Sequence, residues 1–234
     1  MESPYYSAAA IPKAVENVLL RSVYNWMALG LFISAFTAFI TTQSPFLLNL
    51  IYGNSVVIWI LLIGELGLVI GLSGAINRLS AATASGLFLL FSFLNGLTLS
   101  SILLIYTASS VFQTFLVTSL MFGAMSAYGY FTKADLTSWG RYLFMGLIGI
   151  IIASVVNIFL ANSTMDWIIS FIGVVIFTGL AAYDTQKIKR LGEQLIGADG
   201  EQVGKAAILG ALALYLDFVN LFLMLLRFMG QRRD

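Results

Sequence analysis

The chain has 234 residues, 59% of them hydrophobic and only 10% charged, with a mean hydropathy of +0.93. A water-soluble domain carries roughly 25% charged residues, so this composition excludes one. Net charge is +1, which offers no basic surface to nucleic acid, and the absence of cysteine and histidine removes disulfides, thiol and Ser-His catalysis, and Cys- or His-ligated metals.

Residues 1–22 are polar, hold Pro4, Pro12, Lys13 and Arg21, and lack the form of a signal peptide. They read as a short cytoplasmic tail with an amphipathic turn over 14–22. Apolar runs of about 20 residues follow, the length that a bilayer core of about 30 Å requires of a helix. Seven spans are predicted, over residues 23–42, 55–76, 81–105, 111–131, 142–161, 167–187 and 206–228. They make one all-α transmembrane domain, 23–230, followed by a tail, 231–234. The break 188–205 is the longest and the only one with room for a structured loop. Gly64, Gly67, Gly71 and Gly74 recur at three- and four-residue spacing along the second span, which predicts close packing against another helix.

Charge sets the orientation, because Lys and Arg in short loops stay on the cytoplasmic side. Lys13 and Arg21 precede the first span, and Arg78 follows the second. Lys133 and Arg141 follow the fourth, and Lys187, Lys189, Arg190 and Lys205 follow the sixth. The three intervening breaks hold no basic residue. The N-terminus is therefore expected in the cytoplasm and, with seven crossings, the C-terminus outside. Arg227, Arg232 and Arg233 run against that rule.

Three acids stand inside spans, where a charge costs roughly 2.5–3.5 kcal/mol on insertion scales and is a functional hypothesis by default. These are Glu65, Asp184 and Asp217. Asp217 lies at the centre of the seventh span, with Asn220 three residues on and hence on the same face. Each has a plainer reading. Asp217 could serve as hydrogen-bonding glue, Asp184 as an interfacial group, and Glu65 as the partner of a nearby Ser, Thr or Asn. The remaining acids, Glu16, Asp166 and Glu201 among them, read as solvated charges. Asp184 and Asp217 can meet only if the sixth span runs inward past Lys187 or the seventh starts later than drawn.

Tyr183-Asp184-Thr185-Gln186-Lys187 and Leu214-Tyr215-Leu216-Asp217-Phe218-Val219-Asn220-Leu221-Phe222, continued by Leu225-Leu226-Arg227, resemble the signature segments of the Bax inhibitor-1 family, also called transmembrane Bax inhibitor motif proteins. The resemblance covers about 23–230 and includes Leu97-Thr98-Leu99-Ser100-Ser101-Ile102 and Met121-Phe122-Gly123-Ala124-Met125-Ser126. It implies seven transmembrane helices with the last one central and surrounded by the other six. It also implies a bacterial inner-membrane protein acting as a pH-sensitive calcium leak, with Asp184 and Asp217 as a proton-sharing pair that meets calcium in transit. In described members a basic residue near the end of the second helix favours the closed state. The matching place is Ile76 or Asn77, and Arg78 is the only basic residue beside it.

The chemistry suits that role. Two carboxylates held close in low dielectric cannot both ionise easily, so they share a proton and supply a titrating unit in a chain without histidine. Calcium takes six to eight oxygens, so two carboxylates with Asn220 and water form an incomplete cage, from which an ion can leave. Tyr183 and Glu65 are supporting candidates. No resident cofactor is expected. The expected partners are the bilayer, calcium ions and protons.

Two other classes compete. Bacterial family members are associated with modulating a membrane-bound protease, which implies a regulator that binds another membrane protein. Intramembrane aspartyl proteases pair a Tyr-Asp with a Gly-x-Gly-Asp. Here Tyr183-Asp184 fits, but Leu214-Tyr215-Leu216-Asp217 lacks both glycines, so no enzyme is expected.

Overall fold

A computed structural model describes the backbone of residues 10–233 and the side chains of 16–233. It holds eight α-helices among the described residues. These are α1 (Ala10–Gln43), α2 (Pro45–Tyr52), α3 (Ser55–Ala75), α4 (Ala81–Ile105), α5 (Ala108–Phe131), α6 (Thr137–Leu160), α7 (Ser163–Gln194) and α8 (Gly200–Met229). Seven are long and apolar enough to cross a membrane, all but the short α2. Their outward faces are aliphatic and aromatic, as in Phe32, Trp59, Leu120 and Phe159, which water would not tolerate and lipid does.

Local chemistry sets the helix ends. The Ser44 hydroxyl accepts from the Leu47 amide with Pro45 in the first turn of α2, and the Asn54 side chain accepts from Val56 at the start of α3. The α4 N-terminus draws its cap from a distance, with the Ala81 amide donating to Glu201 Oε1 at 2.6 Å. Between α6 and α7 the chain turns at Ala161 in the left-handed region (φ 49°). There the Asn157 amide brackets the turn, donating to Asn162 O and accepting from Asn162 N.

Contacts divide the chain into two compact units, with boundaries inside α4, α7 and α8. The first contains the described residues up to Ser100 together with 187–213. Of the expected tail, residues 1–9 lie outside the described residues, and residues 10–22 are the start of α1, where Glu16, Leu19, Leu20 and, just beyond, Val23 are buried on one face. The burial is backbone-close, since a Cβ at Gly192 would sit 2.9 Å from Glu16 Cα and one at Gly210 would sit 2.9 Å from Val23 Cγ2. Glu16 is 6% exposed, which corrects its reading as a solvated charge. The glycines of α3 also differ from expectation. A Cβ at Gly64, Gly67, Gly71 or Gly74 would meet nothing within 4 Å, so this face packs on no other described helix. Small residues permit close approach but do not dictate it.

The second unit contains residues 101–186 and the described residues from 214 on. Its chain end is strapped down. The Thr107 amide donates to Gln231 O, Arg233 N to Ile105 O, and Gln231 N to Ser110 Oγ, giving an isolated antiparallel bridge between Tyr106 and Arg232. The residues after α8 thus lie beside the α4–α5 connection. α8 is also the most buried of the long helices, with 67% of its most apolar window inside, against 44% for α7 and 11% for α3 and α6.

The longest predicted break is mostly helix. α7 runs on to Gln194 and α8 begins at Gly200, so only five residues, 195–199, connect them. Lys187, Lys189, Arg190 and Glu193 look like a loop by hydropathy, yet all are good helix formers. They alternate with the buried Ile188 and Gly192, the latter placed against α1.

Candidate functional site

The segment carrying Asp184 is fixed by its neighbours in sequence. Gly129 on α5 accommodates the Ala182 backbone, and a Cβ there would run into the Ala182 carbonyl oxygen. Gly140 on α6 accommodates the Tyr183 ring in the same way. Thr185, 1% exposed, donates to Ala181 O of its own helix at 2.8 Å. Gln186 clasps the α5–α6 connection, its Nε2 donating to Ala134 O at 2.8 Å and its Oε1 accepting from Leu136 N at 3.0 Å. Four of the five residues from Ala182 to Gln186 thus hold backbone in place, and Asp184 stands among them at intermediate exposure.

The register of α7 against α8 then relates the two aspartates. Met224 lies over Gly173, where a Cβ would come within 2.7 Å of its Cγ. Asp217 is seven residues before Met224, two turns back on the same face of α8. Asp184 is eleven residues beyond Gly173, three turns on along the same face of α7. In antiparallel helices residue 213 is level with Asp184, so Asp217 is four residues away in depth, about 6 Å at 1.5 Å per residue. Both carboxylates therefore belong to the α7–α8 interface, about one turn apart. The continuation of α7 past Lys187 is what allows this. Asp217 is 5% exposed, and Phe218 beside it packs edge-on against Phe115 and Phe122 of α5, at 5.6 and 5.4 Å.

The other candidates fall elsewhere. The Asn220 amide donates back to Leu216 O at 2.8 Å, which turns its nitrogen away from a ligand and keeps its oxygen as the available ligand atom. Glu65, in the first unit, is 8% exposed, and both its oxygens accept from neutral donors on α4 at 3.0 Å, Asn95 Nδ2 and Thr98 Oγ1. Arg78 ends a 3-10 turn, Ile76–Arg78, and is exposed. Asn95 and Thr98 are the kind of nearby Asn and Thr that the plainer reading of Glu65 expects, although the sequence reading did not name Asn95. A polar residue three before Thr98 on an apolar helix was the available signal. Sequence reasoning also missed a cluster at the far end of the second unit. There the Asn157 amide donates to Asp166 Oδ1 at 2.7 Å, while Asp166 is exposed, as its reading as a solvated charge expects.

These features define a multi-pass α-helical membrane protein with two acidic residues at the interface of its most buried helix pair. The profile of the family described as "Inhibitor of apoptosis-promoting Bax1" matches residues 16–234. The chain is 51% identical over 222 residues to the Escherichia coli (strain K12) protein named "Inner membrane protein YbhL", covering 95% of each. It is 48% identical to an uncharacterized protein of Borreliella burgdorferi over 220 residues, 94% of each. It is also 39% identical to an uncharacterized membrane protein of Streptococcus pyogenes serotype M6, over 92% of this chain and 93% of that one. The chain belongs to the Bax inhibitor-1 family.

Proposed function

We propose that this protein is a pH-sensitive calcium leak channel of the bacterial inner membrane, gated by proton sharing between Asp184 and Asp217. The observation that carries the reading is the placement of both on the α7–α8 interface about one turn apart, with Asp217 buried at mid-helix. A single mid-helix charge facing neutral donors needs no further explanation. Two acids sharing one helix interface repel when both are ionised, so a proton bound between them stabilises the closed packing and its loss favours a cation in its place. Calcium would meet two carboxylates, the Asn220 oxygen and water, enough to replace part of its hydration shell but too few ligands to trap it. In this reading the N-terminus is cytoplasmic, which the basic loops support, and the strapped C-terminal residues lie outside.

The test is calcium flux through the purified protein in liposomes at several pH values. The reading requires flux above empty liposomes that changes with pH. Flux no greater than that of empty liposomes at every pH would leave the regulatory reading, binding to another membrane protein, as the stronger one.

A further inference from the structure

The second unit holds a pocket of about 520 Å³, away from the aspartate pair, where α4 passes to α5, α6 turns into α7, and α8 ends. Among its lining residues are Arg227, Arg232, Asp166, Asn157, Trp167 and Tyr106. We propose that it binds the phosphate group of a phosphate-bearing anion through Arg227 and Arg232.

Four observations lead there. First, Arg227 and Arg232 are two of the three basic residues that break the charge rule, and both line this pocket. Second, neither guanidinium forms an ion pair with a described residue. The pocket's one acid, Asp166, already accepts from Asn157 and is outnumbered by two arginines. Third, Arg232 is not on a fraying end. The backbone bonds of Gln231 and Arg233 to Thr107 and Ile105, with Gln231 N on Ser110 Oγ, fix it beside Tyr106, whose ring is buried. A guanidinium held without a partner presents its planar fork of donors to a bidentate acceptor, and phosphate matches that fork. Fourth, Trp167 stacks with Phe171 at 5.7 Å and meets Phe228 at 5.5 Å, an aromatic group of the kind found at headgroup depth. That depth makes a phospholipid headgroup the first source of the phosphate and free phosphate the second.

The experiment uses full-length protein, delipidated in detergent, titrated with phosphatidylglycerol or phosphatidylethanolamine and followed by native mass spectrometry. In parallel, inorganic phosphate is titrated against the unfolding midpoint. The Arg227→Gln/Arg232→Gln double variant and Arg232→Gln alone are compared with the parent. Lys133→Gln, an exposed cation in the α5–α6 connection, is the control. One saturable lipid site, weakened at least tenfold in the double variant and unchanged in the control, supports a headgroup ligand. A midpoint raised by phosphate in the parent but not in the double variant, without lipid retention, supports a small anion. If the double variant does not fold, Arg232→Gln decides alone, because the strap uses its neighbours' backbone. Weakening of at least threefold upholds the site. Equal binding by parent and variants, or no binding of either ligand, overturns it.

Discussion

Glu65 and Asp217 are both carboxylates near the middle of long apolar helices, and both are nearly closed to solvent, at 8% and 5% exposure. Their surroundings differ. Glu65 meets two neutral donors from one neighbouring helix, one on each oxygen, as buried glue should. Asp217 faces a helix whose acid, Asp184, stands about one turn away on the facing side. Cost of burial alone does not mark function in a membrane helix. In the proposed reading, what distinguishes the two is that Asp217 has a second acid on the facing helix and Glu65 has neutral donors.

The helices that carry these acids differ in the same way, and substitutions separate them. The largest expected effect is from Gly129→Ala, because the new Cβ would strike the Ala182 carbonyl, which is backbone and cannot swing aside. Overpacking of this kind costs about 1–3 kcal/mol, and the unfolding midpoint in detergent should fall well below the parent's. Gly67→Ala on α3 meets open space and should leave the midpoint nearly unchanged. Equal effects at the two positions would remove the distinction between a packed α7 and an unpartnered α3 face. A smaller loss is expected from Glu65→Gln, where an amide nitrogen replaces one of the two oxygens that accept from Asn95 and Thr98. One hydrogen bond is then impaired, a cost of about 1 kcal/mol by thermal unfolding. Smallest of all is Arg78→Ala. Its side chain is exposed at the end of a 3-10 turn, so calcium flux should stay within a few-fold of the parent, and a large constitutive leak would show that it holds the pathway shut.

Much of this was legible in the sequence, and the failures have physical causes. Seven spans follow from hydropathy alone, and the structure has seven long apolar helices in the same order. The last two turns of α7 were missed because hydropathy cannot distinguish a charged helix end from a loop. Lys187, Lys189 and Arg190 interrupt the apolar run but not the helix. The α3 glycines were misread because three- and four-residue spacing looks the same whether the face meets a helix or lipid. Glu16 was misread for a similar reason, since its burial depends on Gly192, 176 positions further along the chain. Asp184 and Asp217 stand out in the sequence as acids inside predicted spans. Their depth relation was not readable, because it depends on which residues of α7 and α8 face each other. Met224 on Gly173 supplies that. The pocket at the chain end left one trace in the sequence, since Arg227 and Arg232 are two of the three arginines that run against the charge rule.

The most direct test compares pH profiles of calcium flux in liposomes for the parent, Asp217→Asn and Glu65→Gln, each checked for insertion and folding. The account predicts that Asp217→Asn alters flux and removes most of its pH dependence, while Glu65→Gln keeps the parent's profile. A parent-like profile in Asp217→Asn, or its loss in Glu65→Gln alone, would contradict the assignment of the proton-sharing site to Asp184 and Asp217.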